Sequence, residues 1–116
     1  MLANIFVAAV VLLHLYFMIL EMFLWDKPAG LKAFGLTPEF AKETKALAAN
    51  QGLYNGFLVA GLVWGLLLGA QGTHITIFFL VCVIVAGIFG SLTVGKKILF
   101  IQAMPAAIAL GLVLLK

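Results

Sequence analysis

Six side chains stand out in this chain because almost everything around them is apolar. Glu21 lies near the end of the first apolar run, "LANIFVAAVVLLHLYFMILEMFLW". Asn50, Gln51, Tyr54 and Asn55 crowd the first turns of "ANQGLYNGFLVAGLVWGLLLGA", and Gln102 precedes Pro105 in the last apolar run. A carboxyl group can serve as acid, base or cation partner, amides can orient a ligand, and a phenol offers a hydroxyl or a ring face. His14 shares a helix face with Met18 and Glu21 through spacings of four and three, which makes it a secondary candidate, for moving a proton. No catalytic residue is assigned. Neither a metal-ligand cluster, a nucleophile–base spacing nor a phosphate loop accompanies these residues, so no metal or cofactor is expected.

The elements that must position these groups follow from composition. Of 116 residues, 66% are apolar and 9% charged, against roughly 45–50% and about 25% in soluble domains. So few charges cannot clothe a water-facing surface, and the chain reads as one integral membrane domain over residues 1–116. Crossing the bilayer core takes about 20 mostly apolar residues per helix. Four stretches qualify, giving helices at approximately 2–25, 38–70, 75–94 and 97–115, the second entering the membrane near Ala46. The first lacks the basic start and cleavage site of a signal peptide. Between the first two lies "DKPAGLKAFGLTPEFAKETK", where Pro28 and Gly30 break helix 1. Leu31, Phe34 and Leu36 are placed in the interface. Thr37 is a candidate N-cap, Pro38 suits the first helical position, and Glu39 complements the positive helix end. The other connections, "QGTH" and "GKK", are short. The expected fold class is therefore all-α: a four-transmembrane-helix bundle with antiparallel up-down neighbours and an interfacial loop between helices 1 and 2.

All seven basic residues are lysines. They sit between apolar runs, which points to topology rather than to nucleic acid. Lys27, Lys32, Lys42 and Lys45 lie in the first loop, Lys96 and Lys97 in the third, and only Lys116 on the other side. The positive-inside rule places loops 1 and 3 in the cytoplasm of a multi-pass plasma membrane protein, with both termini and the 71–74 turn outside. Every helix then brings polar groups to the cytoplasmic leaflet, and Ser91 and Thr93 add to them from helix 3. Small residues recur at intervals of four: Gly52 and Gly56; Gly61, Gly65 and Gly69; Ala86 and Gly90; Ala103, Ala107 and Gly111. Such stripes let helices approach closely within a bundle or a homo-oligomer. Pro105 is expected to kink helix 4 or free the Ile101 carbonyl. Cys82 stands alone, without an intramolecular disulfide partner.

"EMFLW", "NQGLYNGFLVAGL", "GIFGSLT" and "QAMPAAIAL" together resemble the small integral membrane proteins called domain of unknown function 1304. The resemblance covers nearly the whole chain and includes Glu21, Asn50, Gln51, Tyr54, Asn55, Gln102 and Pro105. It implies four helices in a bacterial plasma membrane and no defined activity. Small multidrug transporters are similar in length and carry an acidic residue in helix 1, but their inverted dimers go with a weak lysine and arginine bias. Membrane glutathione-transferase-like proteins also place amides at the start of helix 2, but they rely on arginines absent here. Three functions follow. The first is a polar pocket in the cytoplasmic half that binds a small molecule or lipid headgroup through Glu21, the amides and Tyr54. The second is a small proton-coupled transporter using Glu21 and His14. The third is a non-catalytic accessory subunit whose polar groups only join helices, a common role for such residues. The one partner expected throughout is the lipid bilayer.

Overall fold

The structure, a computed structural model, describes residues 1–116. The chain is helical, without strands. In order come α1 (Leu2–Phe23), α2 (Pro28–Phe34), α3 (Pro38–Leu67), α4 (Thr73–Thr93) and α5 (Met104–Leu115). A 3-10 turn occupies Gly69–Gly72 and a π-wound segment Leu99–Ala103. Two stretches are long and apolar enough to cross a bilayer, Leu2–Phe23 and Gly69–Thr93, while Leu99–Leu115 is apolar but shorter. Two of the four expected spans thus qualify by length and composition. α3 has 30 residues, but its lysines, glutamates and amides lie between Glu39 and Asn55.

Local chemistry explains the helix boundaries. Thr37 caps α3 as expected: its Oγ1 accepts from the Phe40 N–H at 3.1 Å, and its carbonyl accepts from Ala41. The expected interfacial loop needs correction, because it contains α2. Pro28 starts that helix instead of only ending α1, since proline at the first helical position lacks an N–H that would have no partner there. Gly35 ends α2 in the left-handed region (φ 63°, ψ 42°), and both its N–H and that of Leu36 return to the Leu31 carbonyl. This double closure is the glycine-dependent helix stop. α3 ends at Leu67 rather than Ala70, where Gly69 turns the chain at φ 62°. Helix 4 is α-helical at Lys97 and Ile98 but π-wound over Leu99–Ala103. Met104 N–H bonds to the Leu99 carbonyl, five residues back, and α-winding resumes with Pro105 in its first turn. One widened turn lets the helix pass a residue that has no N–H and whose ring crowds the carbonyl four positions earlier.

The chain divides into two compact units, Met1–Leu12 with Leu58–Lys116, and Leu13–Phe57. In the first, Ala3, Val7, Val10 and Val11 of α1, Leu62 of α3, Leu80 and Val83 of α4, and Ala106, Ala109 and Val113 of α5 form one buried core. Spacings of three and four put each helix's contribution on one stripe. Glycines set the approach of neighbours. A Cβ on Gly61 would strike the Phe79 ring, and one on Gly65 would strike Thr76 Oγ1. Residue numbers rise on α3 as they fall on α4, so the pair is antiparallel. Gly87 against Ala103 and Gly90 against Ile98 give the same sense for α4 and the segment leading into α5. Within this unit the expected stripes therefore hold at Gly61, Gly65, Gly90 and Ala103 and fail at Gly69, Ala86, Ala107 and Gly111. Gly69 and Gly111 have open space beside them, Ala86 and Ala107 are exposed, and Gly87 occupies the tight position.

Candidate functional site

Within Leu13–Phe57, α1 and α3 lie side by side in opposite directions. Met18 meets Gly56, Glu21 and Met22 meet Gly52, and Trp25 and Asp26 meet Thr44 and Lys45. The contact at Gly52 needs glycine. A Cβ on Gly52 would stand 2.5 Å from Met22 Cγ and 3.1 Å from both Glu21 Cβ and the Met18 carbonyl oxygen. One on Gly56 would stand 3.0 Å from Met18 Sδ. Asn55, three residues beyond Gly52, falls on the same side of α3. The close approach delivers its side chain to α1, where Nδ2 donates a 2.5 Å hydrogen bond to Glu21 Oε1. Asn55 is 8% exposed and Glu21 is partly buried.

Glu21 has no basic partner. The salt bridge of this chain joins Lys45 Nζ to Asp26 Oδ2 at 3.1 Å, beyond the end of α1. Hydrogen bonding to Lys45 and its charge hold the Asp26 carboxyl below the usual aspartate range. Nearby, Trp25 Nε1 donates to Thr44 Oγ1 at 3.0 Å, and the Trp25 ring lies 5.0 Å from that of Phe34. Gly30 fits α2 against the Leu24 and Trp25 carbonyls, where a Cβ has no room. These contacts fasten α2 and the start of α3 to the end of α1. They fix the register in which Asn55 meets Glu21.

The remaining candidates are placed as follows. Asn50 is exposed and donates to the Ala46 carbonyl of its own helix at 3.2 Å. Gln51 is exposed, and Tyr54 is 57% exposed with its ring 6.1 Å from that of Phe57. His14 is fully buried, edge-on to Phe17 at 5.9 Å. Gln102 belongs to the other unit, partly buried on the π-wound segment. Ser91 and Thr93 bond to the Ile88 and Phe89 carbonyls of their own helix. Of the sequence candidates, then, Glu21 and Asn55 are joined directly. The Asp26–Lys45 and Trp25–Thr44 pairs were not anticipated, because a separation of 19 residues across a turn leaves no periodic signal.

A carboxyl group held by one amide through one oxygen keeps its second oxygen for another donor or for a proton. That arrangement can hold an amine, a hydroxyl or a proton at a fixed point on α1.

No solved structure matches the chain. It is 31% identical over 97 residues, 82% of each chain, to the uncharacterized protein YpaA of Lactococcus lactis subsp. lactis (strain IL1403). The family described as protein of unknown function (DUF1304) matches residues 8–114. With nearly its whole length inside that match, the chain belongs to the DUF1304 family.

Proposed function

We propose that the protein is a four-span plasma membrane protein, one integral domain with loops 1 and 3 in the cytoplasm. Its site is centred on Glu21 and Asn55 in the cytoplasmic half and binds a small molecule or lipid headgroup. Support for membrane residence comes from the surface. Leu12, Leu67, Phe89 and Leu92 are among many large apolar side chains left exposed, where water-soluble monomers rarely expose large contiguous patches. The observation that carries the site is the Asn55–Glu21 hydrogen bond beside Gly52. A carboxyl group inside a membrane helix is costly and is a functional candidate by default. This one is oriented by an amide and left without a cation. Gln51 and Tyr54, exposed within a turn of Asn55, are the groups to meet a ligand arriving from outside the helix pair.

A structural role has its own support at other positions. Asn50, Ser91 and Thr93 satisfy carbonyls of their own helices, which is all that their presence requires. The small residues left exposed, Ala86 of α4 and Ala107 and Gly111 of α5, are the proposed surface for a homo-oligomer.

Glu21→Gln tests the site. It keeps the size of the side chain and removes the charge, so the purified yield should match wild type while the biological phenotype, scored by complementation of a deletion strain, is lost. Glu21→Ala should lower folded yield, since it leaves the Asn55 amide unpaired at a cost of about 1–3 kcal/mol. A folded Glu21→Gln protein that complements fully would overturn the assignment.

A further inference from the structure

Joined to each other, Glu21 and Asn55 still leave two oxygens unused. A carboxylate only accepts hydrogen bonds, so the Asn55 atom that meets Glu21 Oε1 is the donor Nδ2, and the amide oxygen is left over. Neither Glu21 Oε2 nor Asn55 Oδ1 has a hydrogen-bond partner within the chain, and neither is sealed from the surface. The buried side-chain oxygen without a partner is instead Asp26 Oδ1. Because the carboxyl and amide groups are already in contact, their two open acceptors lie at one point of the helix pair.

Two acceptors, one of them charged, select a ligand that is positive and carries more than one N–H. An anion would be repelled. An alcohol has a single O–H and would leave one acceptor unmet, and a quaternary ammonium has the charge but no donor. A divalent metal ion takes about six or more oxygen ligands, and no three acidic, histidine or cysteine side chains gather in this chain. The lysine of α3 nearest in sequence to Asn55, Lys45, is paired with Asp26. The surroundings are apolar and aromatic. Met18 and Met22 pack at Gly56 and Gly52 on either side of Glu21. Tyr54 and Phe57, within a turn of Asn55, are exposed with ring centroids 6.1 Å apart. Aromatic faces attract a cation as well as hydrocarbon.

We propose that the Glu21–Asn55 site binds a protonated primary amine with an apolar body. One ammonium N–H meets Glu21 Oε2 and a second meets Asn55 Oδ1, while the hydrocarbon lies toward the Tyr54 and Phe57 rings. This rests on the reading of Glu21 and Asn55 as a ligand site and adds to it the class of ligand.

The test is calorimetric titration of the full chain in phosphatidylcholine nanodiscs at neutral pH, with empty nanodiscs subtracted. The probes share one body: phenethylamine, phenethyl alcohol, phenethyltrimethylammonium and hydrocinnamate. Saturable binding of phenethylamine is expected, with the alcohol and the quaternary ion each at least about tenfold weaker, the effect of losing a charge-assisted hydrogen bond. Hydrocinnamate should not saturate. Glu21→Gln should weaken phenethylamine about tenfold and remove its preference over the alcohol. Absence of saturable phenethylamine binding to the wild type would overturn the proposal, as would equal or tighter binding of any other probe, or affinity unchanged by Glu21→Gln. In each of these cases complementation separates the two readings. Its loss in folded Glu21→Gln leaves Glu21 a site for another class of ligand, whereas full complementation removes the site itself. Should Glu21→Gln fail to fold, protection of the wild-type Glu21 carboxyl from dicyclohexylcarbodiimide by phenethylamine, read by mass spectrometry, decides in its place, and absence of protection overturns the proposal.

Discussion

Gly65→Ala and Gly111→Ala make the same chemical change in two helices with opposite expected results. In a helix interior the added methyl stabilises by about 1 kcal/mol through backbone entropy alone. At Gly111 nothing lies within 4 Å of the new Cβ, so that gain should appear nearly undiminished. At Gly65 the Cβ would collide with Thr76 Oγ1, 3.0 Å from the Thr76 backbone nitrogen and 3.2 Å from the Gly72 carbonyl oxygen. Two of those three atoms are backbone, and Gly72 itself packs on Gly65 without room for a Cβ. The neighbours cannot swing aside, so α3 and α4 must separate. Overpacking of this kind costs typically about 1–3 kcal/mol, and the rigid neighbours place Gly65 at the upper end. Subtracting the helix gain leaves a net loss of about 1–2 kcal/mol, a five- to thirtyfold shift of the folding equilibrium. Gly111→Ala and Gly65→Ala should therefore differ by about 2–3 kcal/mol when unfolding in mixed micelles is followed by circular dichroism. Equal stability of the two variants would refute the close approach at Gly65.

Two further outcomes are expected. The Asp26 carboxyl is held below its ordinary value of 3.8 by Lys45. Its contribution is therefore fully present above the unfolded value and is lost as pH falls through the lower folded value, so the Tm of wild type should drop more steeply below about pH 4 than that of Lys45→Gln; parallel profiles would show the pair to be inert. Under the proposed topology, single cysteines at Lys32 and Lys97 should react with an impermeant thiol reagent only from the cytoplasm and one at Gly72 only from outside, in a Cys82→Ala background; labelling of each from both faces would rule out a fixed orientation.

Much of the fold could be read residue by residue. The Thr37 cap and Pro38 start of α3 are local events, and the structure has them where the sequence placed them. The turn of α2 was equally local, with Pro28 in front and Gly35 behind, but proline and glycine signal an end and a beginning alike. Seven residues are also too few to show helical periodicity. The approach of α3 and α4 was legible because Gly61 and Gly65 mark a stripe four residues apart. Between Ala86 and Gly87 the stripe was ambiguous: neighbours on a helix differ by about 100° in direction, and both are small.

The candidate site divides in the same way. Composition and spacing alone determined that the chain is helical and apolar, that its polar groups gather at a few turns, and that Glu21 and the amides of residues 50–55 are the groups to watch. Which amide meets Glu21 was settled only in three dimensions. Gln51 and Asn55 share a face of α3, yet Asn55 is buried against the carboxyl group and Gln51 is exposed. The physical reason is the range of the contacts involved. Helix start, stop and face depend on neighbours along the chain. The rotation and register of one helix against another depend on many weak contacts between distant residues, here Gly52 on Met22, Gly65 on Thr76 and Trp25 on Thr44.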